Sequence, residues 1–165
     1  THRSRYRLPT APSPNLPNMR AVYLYPSLCF FEGTPISLGR GTDFPFQTYG
    51  HPKLQGDFSF TPRSNAGAKN PPLKDKLCHG VDLRTAPSDE RIWEREVDLG
   101  YVIDCYRQLN LSEKFFTPMF DRLTGTDYVR QMILQGAGAD RIKARWADDV
   151  ERFKQTRKPY LLYEE

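Results

Sequence analysis

The chain holds 165 residues, 38% of them hydrophobic, with a formal net charge of +4. That length suits one domain of ~100–150 residues around a single core. No run of ~18 apolar residues is present to span a membrane, and the dispersed basic residues lack the concentrated patch and reading element of a nucleic-acid binder.

Residues 1–14 are polar, proline-bearing and without apolar period, so they read as a linker or extended arm, with residues 15–165 as the domain. Arg3, Arg5 and Arg7 beside Tyr6 form the only dense basic run there and read as a solvated stretch. Ser13 or Asn15 supplies a helix cap, with Pro17 in the first turn and Met19, Val22 and Tyr23 at helical spacing. Pro26 ends or kinks that helix. A second short helix is predicted over residues 27–31, stopped by Gly33 and Pro35.

Residues 33–56 read as one long irregular loop punctuated by glycine and proline. A loop of that length in a compact domain is functional or disordered, and its aromatic residues argue against disorder. Polar–apolar alternation predicts a strand over 57–61, and a second is predicted over 77–83. Residues 65–72 and the charged stretch after Pro87 read as connections.

The second half is helical. Val102, Ile103, Tyr106 and Leu109 recur at helical spacing behind Asp98; Thr126 caps a helix carrying Val129, Met132 and Ile133 that Gly136 closes. Asp140 opens the longest helix, with Ile142, Trp146, Val150 and Phe153 on one face and Lys154, Arg157 and Lys158 at its end. Pro159 stops it, and residues 160–163 are predicted as a short terminal strand. The fold class is therefore α+β: a few strands, a long structured glycine-rich loop and a helical C-terminal half.

Chemistry is sought in the segment 32–46. Gly39 and Gly41 flank Arg40, an arrangement that presents a guanidinium rigidly and lets a ligand approach the backbone. A guanidinium offers a planar fork for a carboxylate or phosphate. Glu32 lies close enough in the chain to meet Arg40, either as a loop-pinning ion pair or as part of a site. Thr34, Ser37, Thr42 and Asp43 add hydroxyls and a second carboxylate. Phosphate-loop and dinucleotide-binding glycine patterns are absent.

His51 closes the loop and is the best placed of the three histidines; His2 and His79 read as surface or core residues. Cys29, Cys78 and Cys105 are widely spaced with no CxxC pair, so at most one disulfide and no metal site is expected. Trp93 and Trp146 read as core or interdomain packing. No cofactor is expected.

Taken in order, Ser13-Pro14-Asn15-Leu16-Pro17, Tyr25-Pro26, Glu32-Gly33-Thr34, Gly39-Arg40-Gly41-Thr42, Pro45-Phe46, Gly50-His51-Pro52, Phe60-Thr61-Pro62 and the closing Arg157-Lys158-Pro159-Tyr160-Leu161-Leu162-Tyr163 resemble the C-terminal domain of NamZ-type exo-β-N-acetylmuramidases. The sequence departs from many relatives at Pro35, where they carry Asn, and near Leu38, where they carry Glu or another polar residue, and keeps Glu32 and Arg40. The resemblance implies a glycoside hydrolase that releases terminal N-acetylmuramic acid from the non-reducing ends of peptidoglycan fragments. It implies a Rossmann-like N-terminal domain as partner, which carries the principal catalytic glutamate, and an active-site cleft between the two. It also implies a periplasmic or extracellular setting.

In that setting Arg40 is expected to bind the lactyl carboxylate. Gly39, Gly41, Thr42 and His51 line the site, and Phe44, Phe46 or Tyr49 packs on the sugar. Glu32 is either a second carboxylate of the pair that glycosidases use or the residue that orients Arg40. The alternative is a non-catalytic module that binds peptidoglycan or braces the catalytic domain.

Overall fold

A computed structural model describes residues 6–163; His2, Arg3 and Arg5 lie outside the described residues. The first helix, α1, spans Met19–Leu28, and its cap is Asn18, whose side chain accepts from the Ala21 amide at 3.0 Å. Ser13 and Asn15, the expected caps, are committed elsewhere. The Leu16 amide donates to the Ser13 carbonyl at 2.9 Å, and the Asn15 side chain donates to the Gly67 carbonyl at 3.0 Å. Pro26 sits inside α1 without ending it, and the chain then tightens into a 3-10 turn at Cys29–Gly33. That turn occupies most of the predicted second helix.

Residues 33–56 are not wholly irregular, because they contain a strand, β1, at Thr48–His51. Its first three residues are buried, so no polar–apolar alternation marks it. The expected strands appear as β2 (Phe58–Phe60) and β3 (Cys78–Asp82). All three form one antiparallel sheet in the order β1-β3-β2. Gly80 of the central strand lies opposite Gly50 on one side and Phe58 on the other. A Cβ at Gly80 would stand 1.9 Å from the Tyr49 carbonyl oxygen, so this crossing requires glycine.

The rest is helical: α2 (Asp89–Arg95), α3 (Gly100–Leu109), a 3-10 turn (Ser112–Phe115), α4 (Pro118–Thr124), α5 (Tyr128–Leu134) and α6 (Ala139–Arg157). The α+β class stands. α2 replaces the connection expected after Pro87, and α4 lies where no element was predicted. The Ser88 side chain caps α2, accepting from the Arg91 amide. Among the described residues the predicted terminal strand is absent; Lys158–Tyr160 forms a 3-10 turn, and Tyr160, Leu162 and Tyr163 are exposed. Among the described residues no helix is long and apolar enough to cross a membrane.

The core gathers Leu24, Leu28 and Phe31 from α1 and its turn, Val102 and Ile103 from α3, and Phe115, Phe120, Ile133 and Ile142 behind them. The long loop contributes Ile36, Leu38, Phe46 and Leu54 to the same cluster. Burying each large side chain contributes ~1.5–3 kcal/mol, which is why a glycine-rich segment is held in one shape. By contrast α6 buries only Ile142, and Val150 and Phe153 stand exposed.

Candidate functional site

Glu32 is delivered by the turn that ends α1. The Thr34 amide and hydroxyl both donate to the Phe31 carbonyl, at 2.9 and 2.8 Å, and close that turn. Gly33 lies against α4: a Cβ there would be 2.5 Å from the Phe120 Cα, and the Thr117 amide donates to the Gly33 carbonyl at 2.9 Å. Ser37 then exchanges both backbone hydrogen bonds with Gly50, each 2.9 Å, which docks the loop on β1.

Arg40 stands at the apex of a turn made by its two glycines. Gly39 has φ +70° and Gly41 φ +83°, a region that side chains strain to enter. The Thr42 hydroxyl donates to the Gly39 carbonyl at 2.6 Å and its amide to the same oxygen at 3.0 Å. The Thr42 hydroxyl also accepts from the Phe44 amide, so this side chain braces the turn. A Cβ at Gly41 would lie 2.3 Å from the Arg63 carbonyl oxygen and 2.7 Å from the Pro71 ring. Gly41→Ala is therefore expected to destabilise the fold by about 2–4 kcal/mol, read as a lower midpoint in denaturant unfolding. An unchanged midpoint would mean that the turn relaxes freely.

The guanidinium so presented does two things. Its Nη2 donates to Glu32 Oε1, with both side chains about 30% exposed. Its Cζ lies 4.9 Å above the centre of the Phe46 ring, a cation–π contact that a half-exposed setting makes worth ~0.5–1 kcal/mol. Phe46 itself is 1% exposed and adopts φ 55°, with its amide bonded to the Leu38 carbonyl at 2.8 Å. The arginine thus rests on a buried aromatic shelf with a carboxylate at its side.

The expected sugar-facing rings are placed otherwise. Phe46 is the shelf beneath Arg40. Tyr49 is buried, stacked on Phe31 at 5.0 Å and near Tyr101 at 5.6 Å, and burial pushes its phenol far up. Phe44 lies under Arg84, whose Cζ is 4.7 Å from its ring and 5.1 Å from that of Phe58. Arg84 also holds Asp82 at 2.7 Å, and this hydrogen bond keeps the Asp82 carboxyl below its ordinary range. His51 accepts from the Lys53 amide at 3.1 Å; burial first, then Lys53 and Lys76, lower its pKa. Its hydrogen bond ties it to Lys53 rather than to the Glu32–Arg40 pair.

The ring that does stand beside the pair is Tyr25. It is 37% exposed and packs 5.2 Å from Phe46. Burial raises its phenol pKa, Glu32 and Cys29 raise it further, and Arg40 opposes them. Cys29, its thiol pushed up to about 11 by burial and then by Glu32, completes the cluster. Tyr25, Cys29 and Glu32 recur at i, i+4, i+7 spacing, the signal of a shared helical face. Cys78 and Cys105 are buried and all three thiols are free. Among the described residues no group of three or more His, Cys, Asp or Glu side chains is placed to hold a metal ion.

The same chain resembles known proteins over nearly all its length. A family model described as exo-beta-N-acetylmuramidase NamZ, C-terminal, matches residues 23–163. The peptidoglycan beta-N-acetylmuramidase NamZ of Bacillus subtilis (strain 168) is 31% identical over 179 aligned positions, which take in 95% of this chain and 41% of that protein. The crystal structure of a DUF1343 family protein from Bacteroides fragilis NCTC 9343 superposes with a TM-score of 0.97 at 62% identity, over 100% of this chain and 47% of that one. The chain thus spans less than half the length of either relative. It belongs to the NamZ C-terminal domain family.

Proposed function

We propose that this domain forms one wall of the active site of an exo-β-N-acetylmuramidase, joined to the N-terminal domain that its longer relatives carry. The observation that carries this reading is the Glu32–Arg40 pair, set on a glycine-flanked turn over Phe46 in a domain of this family. N-acetylmuramic acid bears a lactyl carboxylate. A guanidinium has five donors in a fixed fork, and Glu32 takes one of them, so Arg40 retains the geometry to grip a second carboxylate. Glu32 acts by orienting that fork. Tyr25 offers the neighbouring ring, and the principal catalytic carboxylate comes from the other domain. The substrate places the protein's work outside the cytoplasmic membrane, in the periplasm or beyond the cell.

The test compares two chromogenic glycosides with the two-domain protein. The β-N-acetylmuramic acid glycoside is expected to show a kcat/KM about a hundredfold above that of the N-acetylglucosamine glycoside, which lacks the lactyl group. Equal values would sink carboxylate recognition. One observation favours a second reading, a module that only braces or anchors: Glu32 already engages Arg40, so the pair by itself closes the loop. That reading requires Arg40 to matter for stability and not for turnover.

A further inference from the structure

Two apolar grooves adjoin on the surface of the domain. One, about 580 Å³, is lined by Tyr6, Leu8, Met19, Tyr23, Trp93 and Val97 among others. The other, about 330 Å³, is lined by Phe30, Val97, Leu99, Tyr128, Trp146 and Val150. They share Glu96 and Val97, so they form one continuous face running from α1 and α2 to α6. Trp93 on this face is 48% exposed and Val150 44%. Contiguous apolar surface of this kind on a soluble domain marks an interaction site. Aromatic residues among polar neighbours, here Glu96 and Lys143, are the composition of an interface core with its rim.

We propose that this face is the seat of the second domain, an inference that rests on the two-domain reading above. The relatives say what covers it: the solved structure that matches this chain end to end holds more than as much polypeptide again outside the match. The path of the chain agrees. Tyr6 and Leu8 lie in the first groove before α1 begins, and the Leu8 amide meets the Met19 sulfur at 3.5 Å. A domain attached on that side is delivered to the groove. The face adjoins the candidate site along the chain, because Pro26 in α1 lines one groove and Phe30, within the turn that carries Glu32, lines the other. Docking here sets the second domain against the mouth of the Glu32–Arg40 cluster.

The experiment uses the two-domain protein and trypsin cleavage after Arg7, an exposed residue of the arm, with light scattering to follow mass. Trp93→Glu and Val150→Asp are each expected to speed cleavage after Arg7 by about tenfold, since proteolysis follows the open population, with the monomer mass unchanged. Trp93 also packs edge-on against Tyr23 at 5.6 Å. Val150→Asp is therefore the variant that spares the domain's own packing. Cleavage at the wild-type rate in both variants overturns the proposal. So does a wild-type dimer that either substitution splits, which would assign the face to a second copy. Arg40→Ala is expected to leave cleavage slow. Equal kcat/KM on the two glycosides with cleavage that Val150→Asp still speeds would sink the site reading alone, and wild-type cleavage rates in both variants with the muramic acid preference intact would sink the docking surface alone.

Discussion

Arg40→Ala in the two-domain protein is expected to lower kcat/KM on a muramic acid glycoside by about 10²–10³-fold. The magnitude follows from truncating one partner of a hydrogen-bonded charge pair, which costs ~2–5 kcal/mol, at ~1.4 kcal/mol per decade of rate. Two losses combine in this site. The substrate carboxylate loses its fork, and Glu32 is left without the guanidinium it accepts from. Arg40→Lys is expected to recover little, because an ammonium is a point charge that cannot hold Glu32 and a second carboxylate in one plane, nor lie flat over Phe46 as the guanidinium does. Activity on a glycoside without the lactyl group should change far less. If instead Arg40→Ala leaves kcat/KM unchanged and only lowers the unfolding midpoint, the bracing reading replaces the recognition reading.

Phe31→Ala is expected to cost about 3–5 kcal/mol of stability, the range for deleting a buried phenylalanine ring, and so to consume much of the ~5–15 kcal/mol that holds a domain folded. Phe31 is fully buried at the point where three elements meet. It lies in the 3-10 turn after α1, stacks on Tyr49 of β1 at 5.0 Å, and through Tyr49 reaches Tyr101 of α3. Its carbonyl also takes the two Thr34 hydrogen bonds that shape the Glu32 turn. Urea unfolding should show the midpoint collapse, while Phe31→Leu, which keeps most of the volume, should cost less than about 1.5 kcal/mol. A loss from Phe31→Ala of under about 1 kcal/mol would mean that the stack is dispensable and that the turn is held by its hydrogen bonds alone.

What could be read in advance divides by the range of the interactions concerned. The helices with a clear period, α3, α5 and α6, were legible because a helical face repeats within one segment. So were β2 and β3, each end moved by one residue. Others were not: α2 carries Ile92 and Trp93 side by side and α4 buries Phe120, so neither repeats an apolar face, and β1 is buried along most of its length, so its residues carry no alternation. The first helix began later than expected because Asn18 competes for the cap, while Asn15 is drawn 52 positions along the chain to the Gly67 carbonyl.

The candidate site follows the same division. By itself the sequence determined that an arginine between two glycines would stand on a rigid turn with a glutamate within reach, since both facts are local: positive φ needs glycine, and Glu32 is eight residues from Arg40. Family membership was legible too, from the order of short motifs. Only the tertiary structure decided which aromatic serves which purpose. Phe46 became the shelf under Arg40, Phe44 the bed of Arg84, and Tyr49 part of the core, leaving Tyr25 beside the pair. A phenylalanine or tyrosine carries the same apolar area wherever it stands in the chain. Whether that area meets a ligand or a neighbouring side chain depends on what the sheet and α3 bring against it, and that is a long-range outcome of packing.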